Sequence, residues 1–235
     1  MPSRPSPQLM AICSALFALT ATFLFPGAAS GQTQPNAKLA VHVQSHATKA
    51  DLTCTTEAPT VPCSSYTTEV DITSQRGYDI YVVVAQADPA PGIGGAAFGI
   101  DYDGVPGSGL DVFDWVLCGD LNFQQVAWPG AGSSNTITFD VTTNCQRAEF
   151  GTDGVHAILG ALYVYAYGPD IFSITPRNDI PTPDLQVADC SSLVTELLGL
   201  GQTGIARFYE GACFPGCNPC LEPCGLVCIP DGVEP

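Results

Sequence analysis

Apolar and polar residues alternate with a period of two along much of this chain, in short stretches separated by Gly, Pro, Asn and Asp. That punctuation predicts β-strands rather than helices. Lys38 to His46 sets Leu39, Val41 and Val43 on one face and His42 and Gln44 on the other, which reads as a strand with one face buried. Tyr66 to Ile72 alternates in the same way. Tyr78 to Ala87 contains Ile80, Tyr81, Val82, Val83 and Val84, an apolar run suited to a central strand buried on both faces, and Asp88-Pro89-Ala90-Pro91-Gly92 stops it. Further strands are expected at Ala96 to Tyr102, Val112 to Cys118, Asn135 to Val141, Ala157 to Tyr167 and Ile171 to Thr175. Gly104 to Gly109 and Pro129 to Ser134 supply turns.

After Pro176 the pattern weakens. Pro181 and Pro183 break the chain, Leu185 to Val187 reads as an edge strand, and Ser191 is placed to cap one short helix ending at Leu198 before Gly199. From Cys213 the sequence is too rich in Pro, Gly and Cys for regular structure. The expected organisation is therefore a leader over 1–30, a β-sandwich over 31–176, an extension with edge strand and short helix over 177–212, and a Cys/Pro-rich tail over 213–235. The fold class is all-β, a two-sheet antiparallel sandwich.

The leader changes the picture of where the protein works. Leu9 to Phe25 is apolar and uncharged, follows Arg4, and ends in Ala28-Ala29-Ser30, a small-x-small pattern that a signal peptidase accepts. A signal peptide, cleaved on export, is expected, and no other segment is apolar and long enough to span a bilayer. Localisation is read as secreted or extracellular, with the cell surface or periplasm included.

Eleven cysteines fit that compartment. Cys13 lies in the leader. Cys54, Cys63, Cys118, Cys145, Cys190, Cys213, Cys217, Cys220, Cys224 and Cys228 form an even set that pairs without remainder. Cys54 and Cys63 flank a Pro-bent loop and are expected to form a local bridge; Cys118 and Cys145 lie at strand ends and are expected to pair. The six others allow fifteen connectivities, with Cys190 expected to reach into the tail. Cys217-x-x-Cys220 also has zinc-ligand spacing, but export favours disulfides.

The formal charge of −16 excludes phosphate backbones and anionic membranes as partners, because no basic patch exists to displace their counterions. With 46% hydrophobic and 13% charged residues the chain is nevertheless able to bury a core.

Candidate chemistry is sparse. Asp101-Tyr102-Asp103-Gly104, followed by Asp111, Asp114 and Asp120, reads first as solvated turn carboxylates. Asp101, Asp103 and Asp111 are the calcium candidates, although the third ligand position holds Val105. No resident cofactor is expected. His42, His46 and His156 read as surface or structural histidines. Gly107-Ser108-Gly109 and Gly132-Ser133-Ser134 do not fit a nucleophile elbow, and Gly92-Ile93-Gly94-Gly95 precedes a strand, not a helix. The chain is read as not an enzyme. Tyr163, Tyr165 and Tyr167, at alternate positions of one strand, share a face and with Trp128 are the candidates for stacking on sugar rings, against a packing role for the same residues.

Tyr81 to Val84, Gly94 to Asp103 and Gly154-Val155 leading into Ala157 to Tyr167 resemble the cohesin-like and carbohydrate-binding-like β-sandwiches of secreted bacterial proteins. Phe98 to Tyr102, Trp115 to Cys118 and Trp128-Pro129 are also similar to elements of a group of uncharacterised exported bacterial proteins. The resemblance runs from Lys38 to Pro176. It implies a jelly-roll or immunoglobulin-like sandwich that binds a protein or glycan and catalyses nothing. Export, the strand pattern and the missing catalytic motifs lead to the expectation of an extracellular or cell-surface protein acting in adhesion or assembly through protein binding, with a carbohydrate-binding module assisted by calcium as the alternative.

Overall fold

The structure, a computed structural model, describes residues 33–46, 54, 60–179, 184–191, 195–197, 199–211 and 216–221. Twelve strands carry it: β1 (Lys38–Ser45), β2 (Glu69–Asp71), β3 (Gly77–Ala87), β4 (Gly95–Asp101), β5 (Leu110–Leu117), β6 (Leu121–Gln124), β7 (Ser134–Thr138), β8 (Val155–Ala166), β9 (Asp170–Thr175), β10 (Gln186–Ala188), β11 (Thr195–Leu197) and β12 (Ile205–Tyr209). They form two sheets packed face to face, the expected all-β sandwich.

The smaller sheet runs β1-β3-β8-β5 with every pair antiparallel. β3 is central and buried on both faces, as its unbroken apolar run requires. In the larger sheet β4 has β7 on one side and β9 and β10 on the other; β6 extends it beyond β7, β11 beyond β10, and β12 with β2 beyond β9. β9 faces Gly99–Asp101 and β10 faces Gly95–Ala97 of the same strand, so the two lie end to end along one side of β4. Arg177, just after β9, ties the two together: its Nε lies 3.2 Å from Asp179 and 3.1 Å from Asp184 and its Nη1 donates to Thr136 on β7.

The core between the sheets takes Leu39, Val41 and Val43 from β1, Ile80, Val82 and Val84 from β3, Phe98 and Ile100 from β4, and Leu159, Leu162 and Val164 from β8. Leu159 and Leu162 both point inward although three apart, because a β-bulge falls at Leu159: Val82 faces Gly160 while Val83 faces Ile158. A side chain at Gly160 would occupy the space taken by the Trp115 ring, so glycine is required there by close approach.

The outer face of the smaller sheet departs from expectation. It carries a second apolar cluster of Ala40, Tyr81, Val83, Ala85 and Ala161, covered by Val61, Cys63, Tyr66 and Cys220. β1 is therefore buried on both faces, and His42, expected on the surface, is 6% exposed. A segment from early in the chain and one from its tail form a third layer.

Disulfides fix that layer, and their pairing corrects the expected one. Cys54 joins Cys118, Cys63 joins Cys220 and Cys145 joins Cys190, with Cα atoms 5.4, 5.9 and 5.9 Å apart. Neither the local Cys54–Cys63 bridge nor Cys118–Cys145 forms, and Cys190 does not reach the tail. Proximity in sequence argued for short loops, but Cys63 is carried across the outer face to meet the tail. Cys217 is also disulfide-bonded, which with Cys220 removes the zinc reading of that pair. Cys213, Cys224 and Cys228 lie outside the described residues, as does the leader.

The helix expected from Ser191 to Leu198 is absent among the described residues. Thr195–Leu197 is β11, paired with β10, so β10 is not an edge strand either. A short isolated helix is marginal, and sheet pairing overrides one favourable cap.

Candidate functional site

The outward side of β8 beyond its bulge carries Tyr163, Tyr165 and, just past the strand, Tyr167, while Leu162, Val164 and Ala166 fill the core. A second bulge, in β5, adds an aromatic neighbour. Val112 faces Val164 and Asp114 faces Tyr163, so Phe113 is the extra residue and stands 57% exposed. Its ring centroid lies 6.0 Å from that of Tyr163 with planes tilted 40°. The Tyr165 and Tyr167 rings are 4.8 Å apart, tilted 53°, and Tyr167 is 47% exposed. The result is an aromatic strip, exposed at Phe113 and Tyr167 and half-buried at Tyr163 and Tyr165.

On its β3 side Tyr163 meets the His46 ring at 4.6 Å, and His46 Nδ1 lies 2.9 Å from both oxygens of the buried Asp79. On its β5 side Asp111 faces Tyr165 and Asp114 faces Tyr163 across the strands. These carboxylates were visible in the sequence; their placement against the tyrosines depends on the bulge and was not.

The acidic turn adjoins one end of the strip. Asp170, which sequence reasoning did not single out, accepts the backbone N–H groups of Asp103 and Leu110, and Asp103 accepts from Val105 N–H and the Ser108 hydroxyl. Asp111 accepts from Gly107 N–H. Gly109, at φ +47°, sits where a Cβ would meet both the Asp103 and Asp170 carboxylates at 2.7 Å. Of the three calcium candidates, Asp103 and Asp111 thus hold the loop's backbone and Asp101 stands apart at the end of β4. Among the described residues no group of three or more His, Cys, Asp or Glu is arranged to hold a metal ion.

Trp128 does not join the tyrosines. It is 7% exposed, edge-on to Phe98 and to Trp115 at 5.8 and 5.2 Å, and belongs to the core. Its large apolar area stabilises more in the interior than on a rim.

The histidines are structural in their contacts. Burial lowers the His42 pKa to about 4, and its Nδ1 accepts the Thr67 N–H at 2.9 Å. Tyr66 packs beside it at 4.9 Å and lies 3.3 Å through its hydroxyl from His156 Nδ1. Burial, with Asp153 assisting, raises the Tyr66 pKa, and burial lowers that of His156 against the pull of Asp153. Both shifts favour the neutral forms.

A different surface carries exposed apolar residues that sequence reasoning overlooked. β6 alternates Leu121 and Phe123 with Asn122 and Gln124, but the apolar pair faces outward at 60% and 61% exposure, next to Val126. The alternation was a readable strand signal; the inverted facing was not.

No protein-family profile matches this chain, and no curated protein matches it. Among solved structures, a cohesin module from the Clostridium perfringens ATCC13124 family 33 glycoside hydrolase aligns over 74% of this chain and 99% of that module, at 9% identity and a TM-score of 0.40. The chain is a two-sheet, disulfide-crosslinked β-sandwich on the evidence of its own strands and register.

Proposed function

We propose that this is a secreted, non-catalytic β-sandwich protein that acts in adhesion or assembly outside the cell by binding another protein through the strip of Phe113, Tyr163, Tyr165 and Tyr167. The observation that carries the reading is the strip itself: four aromatic rings on one sheet face, outside the core between the sheets, two of them about half exposed and one, Tyr163, packed against the edge of the covered cluster. Aromatic side chains are enriched at protein interfaces because they bury large area at small entropic cost. All seven described cysteines are disulfide-bonded, which supports an oxidising compartment. His42 and His156 are engaged with Thr67 and Tyr66 in neutral, buried settings, which supports a role without acid-base chemistry.

The test is a photo-crosslinker placed at Tyr165 and, separately, at Phe123, in protein exposed to native culture fluid. Adducts of defined mass from Tyr165 and not from Phe123 support the reading; equal labelling, or none, overturns it.

Polysaccharide binding is the second reading, favoured by the outward Tyr165–Tyr167 pair. The 40° and 53° tilts weigh against it, since a flat platform suits a sugar face better. Glycan-array binding lost on Tyr165→Ala would establish it.

A further inference from the structure

We infer that the partner presents to this strip an extended segment bearing Lys or Arg at alternate positions; this rests on the protein-binding reading above. Three observations converge. First, carboxylates accompany the rings in register: Asp111 lies across from Tyr165 and Asp114 across from Tyr163. Directly opposed side chains are about 5 Å apart, so a single cationic head group over a ring reaches the adjoining carboxylate. Second, the acidic turn continues the strip, because Gly109, enclosed by Asp103 and Asp170, accepts the Tyr167 N–H at 2.7 Å.

Third, the described arginines, of which Arg76 is the one at the strip, are engaged within the chain. Arg76 donates to the Ala166 and Tyr167 carbonyls at the strip's end and pairs with Glu210 at 2.9 Å. Arg177 pairs with Asp179 and Asp184, and Arg147 donates to the Ala90 carbonyl. On the β3 side Asp79 is matched by His46. Asp111 and Asp114, with Asp103 and Asp170 beyond them, therefore leave a negative margin beside the rings for a partner to neutralise.

The spacing selects the partner's form. Tyr163 with Asp114 and Tyr165 with Asp111 form two ring–carboxylate pairs one strand repeat apart, roughly 7 Å, which is the repeat of same-side residues in an extended peptide. A helix presents same-face residues about 5.4 Å apart and matches the spacing of the two ring–carboxylate pairs less well.

The test is calorimetric titration of the full, oxidised protein with four heptapeptides: Arg at three alternate positions, Lys at those positions, the three Arg contiguous, and Glu at the alternate positions. The alternating Arg and Lys peptides are expected to bind, the contiguous one more weakly and the Glu one not at all. The double variant Asp111→Asn with Asp114→Asn is expected to weaken binding roughly fivefold to tenfold. Tyr165→Ala with Tyr167→Ala should weaken it by a similar factor through loss of the ring faces. Asp140→Asn with Glu149→Gln, away from the strip, should change it less than about twofold. Thermal unfolding of each variant confirms that it is folded.

Equal weakening by the two pairs of acidic substitutions would mean general attraction to an acidic protein and would overturn the inference. A partner crosslinked at Tyr165 whose contacting segment lacks Lys and Arg would do the same while leaving protein binding in place. Absence of any strip-dependent crosslink removes both.

Discussion

His46 Nδ1 lies 2.9 Å from both carboxylate oxygens of Asp79, a residue only 3% exposed, and the His46 ring in turn packs on Tyr163. The contact joins β1 to β3 and supports the aromatic strip from beneath. Removing one member of a buried polar pair leaves the other without compensation. Asp79→Ala is expected to destabilise the protein by about 2–4 kcal/mol in urea unfolding. A loss below about 0.5 kcal/mol would show that the pair does not hold β1 to β3.

His42 makes stability fall in mild acid. Its folded pKa of about 4 lies below the ordinary value of 6.5, so the folded state disfavours the proton that the unfolded state accepts. The contribution is fully present above about pH 6.5 and is lost progressively as the pH falls toward 4, amounting to about 2–3 kcal/mol. Comparing denaturant unfolding of wild type and His42→Asn at pH 7 and pH 4.5 isolates this histidine from the carboxylates. The variant should show the shallower decline.

Cys63–Cys220 spans 157 residues. By the chain-entropy argument, closing so long a loop stabilises by about 5 kcal/mol, less where other crosslinks already restrict the chain. The double substitution Cys63→Ser, Cys220→Ser should cost about 2–5 kcal/mol. It should also raise binding of a hydrophobic dye, because the cover over Tyr81, Val83 and Ala85 is released. Unchanged dye binding would show that the third layer holds without its crosslink.

Gly160→Ala forces a methyl group against the Trp115 ring. Overpacking of this kind costs about 1–3 kcal/mol. The tryptophan emission of the folded protein should shift as Trp115 moves.

Trp128→Ala and Tyr165→Ala separate core from surface. The first removes a buried ring and should cost about 3–5 kcal/mol; the second should cost less than about 1 kcal/mol. Thermal unfolding of the two variants gives the comparison.

What could be read from the sequence is what depends on local alternation. β1, β3, β4, β8 and β9 lie within a residue or two of where their side-chain pattern puts them, and the sandwich follows from their number and punctuation. β6 and β12 show the same alternation in Leu121–Gln124 and Ile205–Tyr209 but were overlooked, the former because its apolar residues point to solvent. Long-range events were not legible. Nothing local to Cys63 indicates Cys220, and nothing local to Thr195 reveals that β10 will pair with it. The strip was half visible: the tyrosine spacing is in the sequence, whereas Phe113 and Asp114 reach it through a bulge. Trp128 was misplaced because an aromatic residue after a loop reads equally as rim or core until its neighbours Phe98 and Trp115 are known.

Because Cys63 finds its partner 157 residues later, the crosslink over the smaller sheet can close only once residue 220 has been made. The permanent sealing of the cover over Tyr81 and Val83 is therefore set by the tail and not by the segment that carries them.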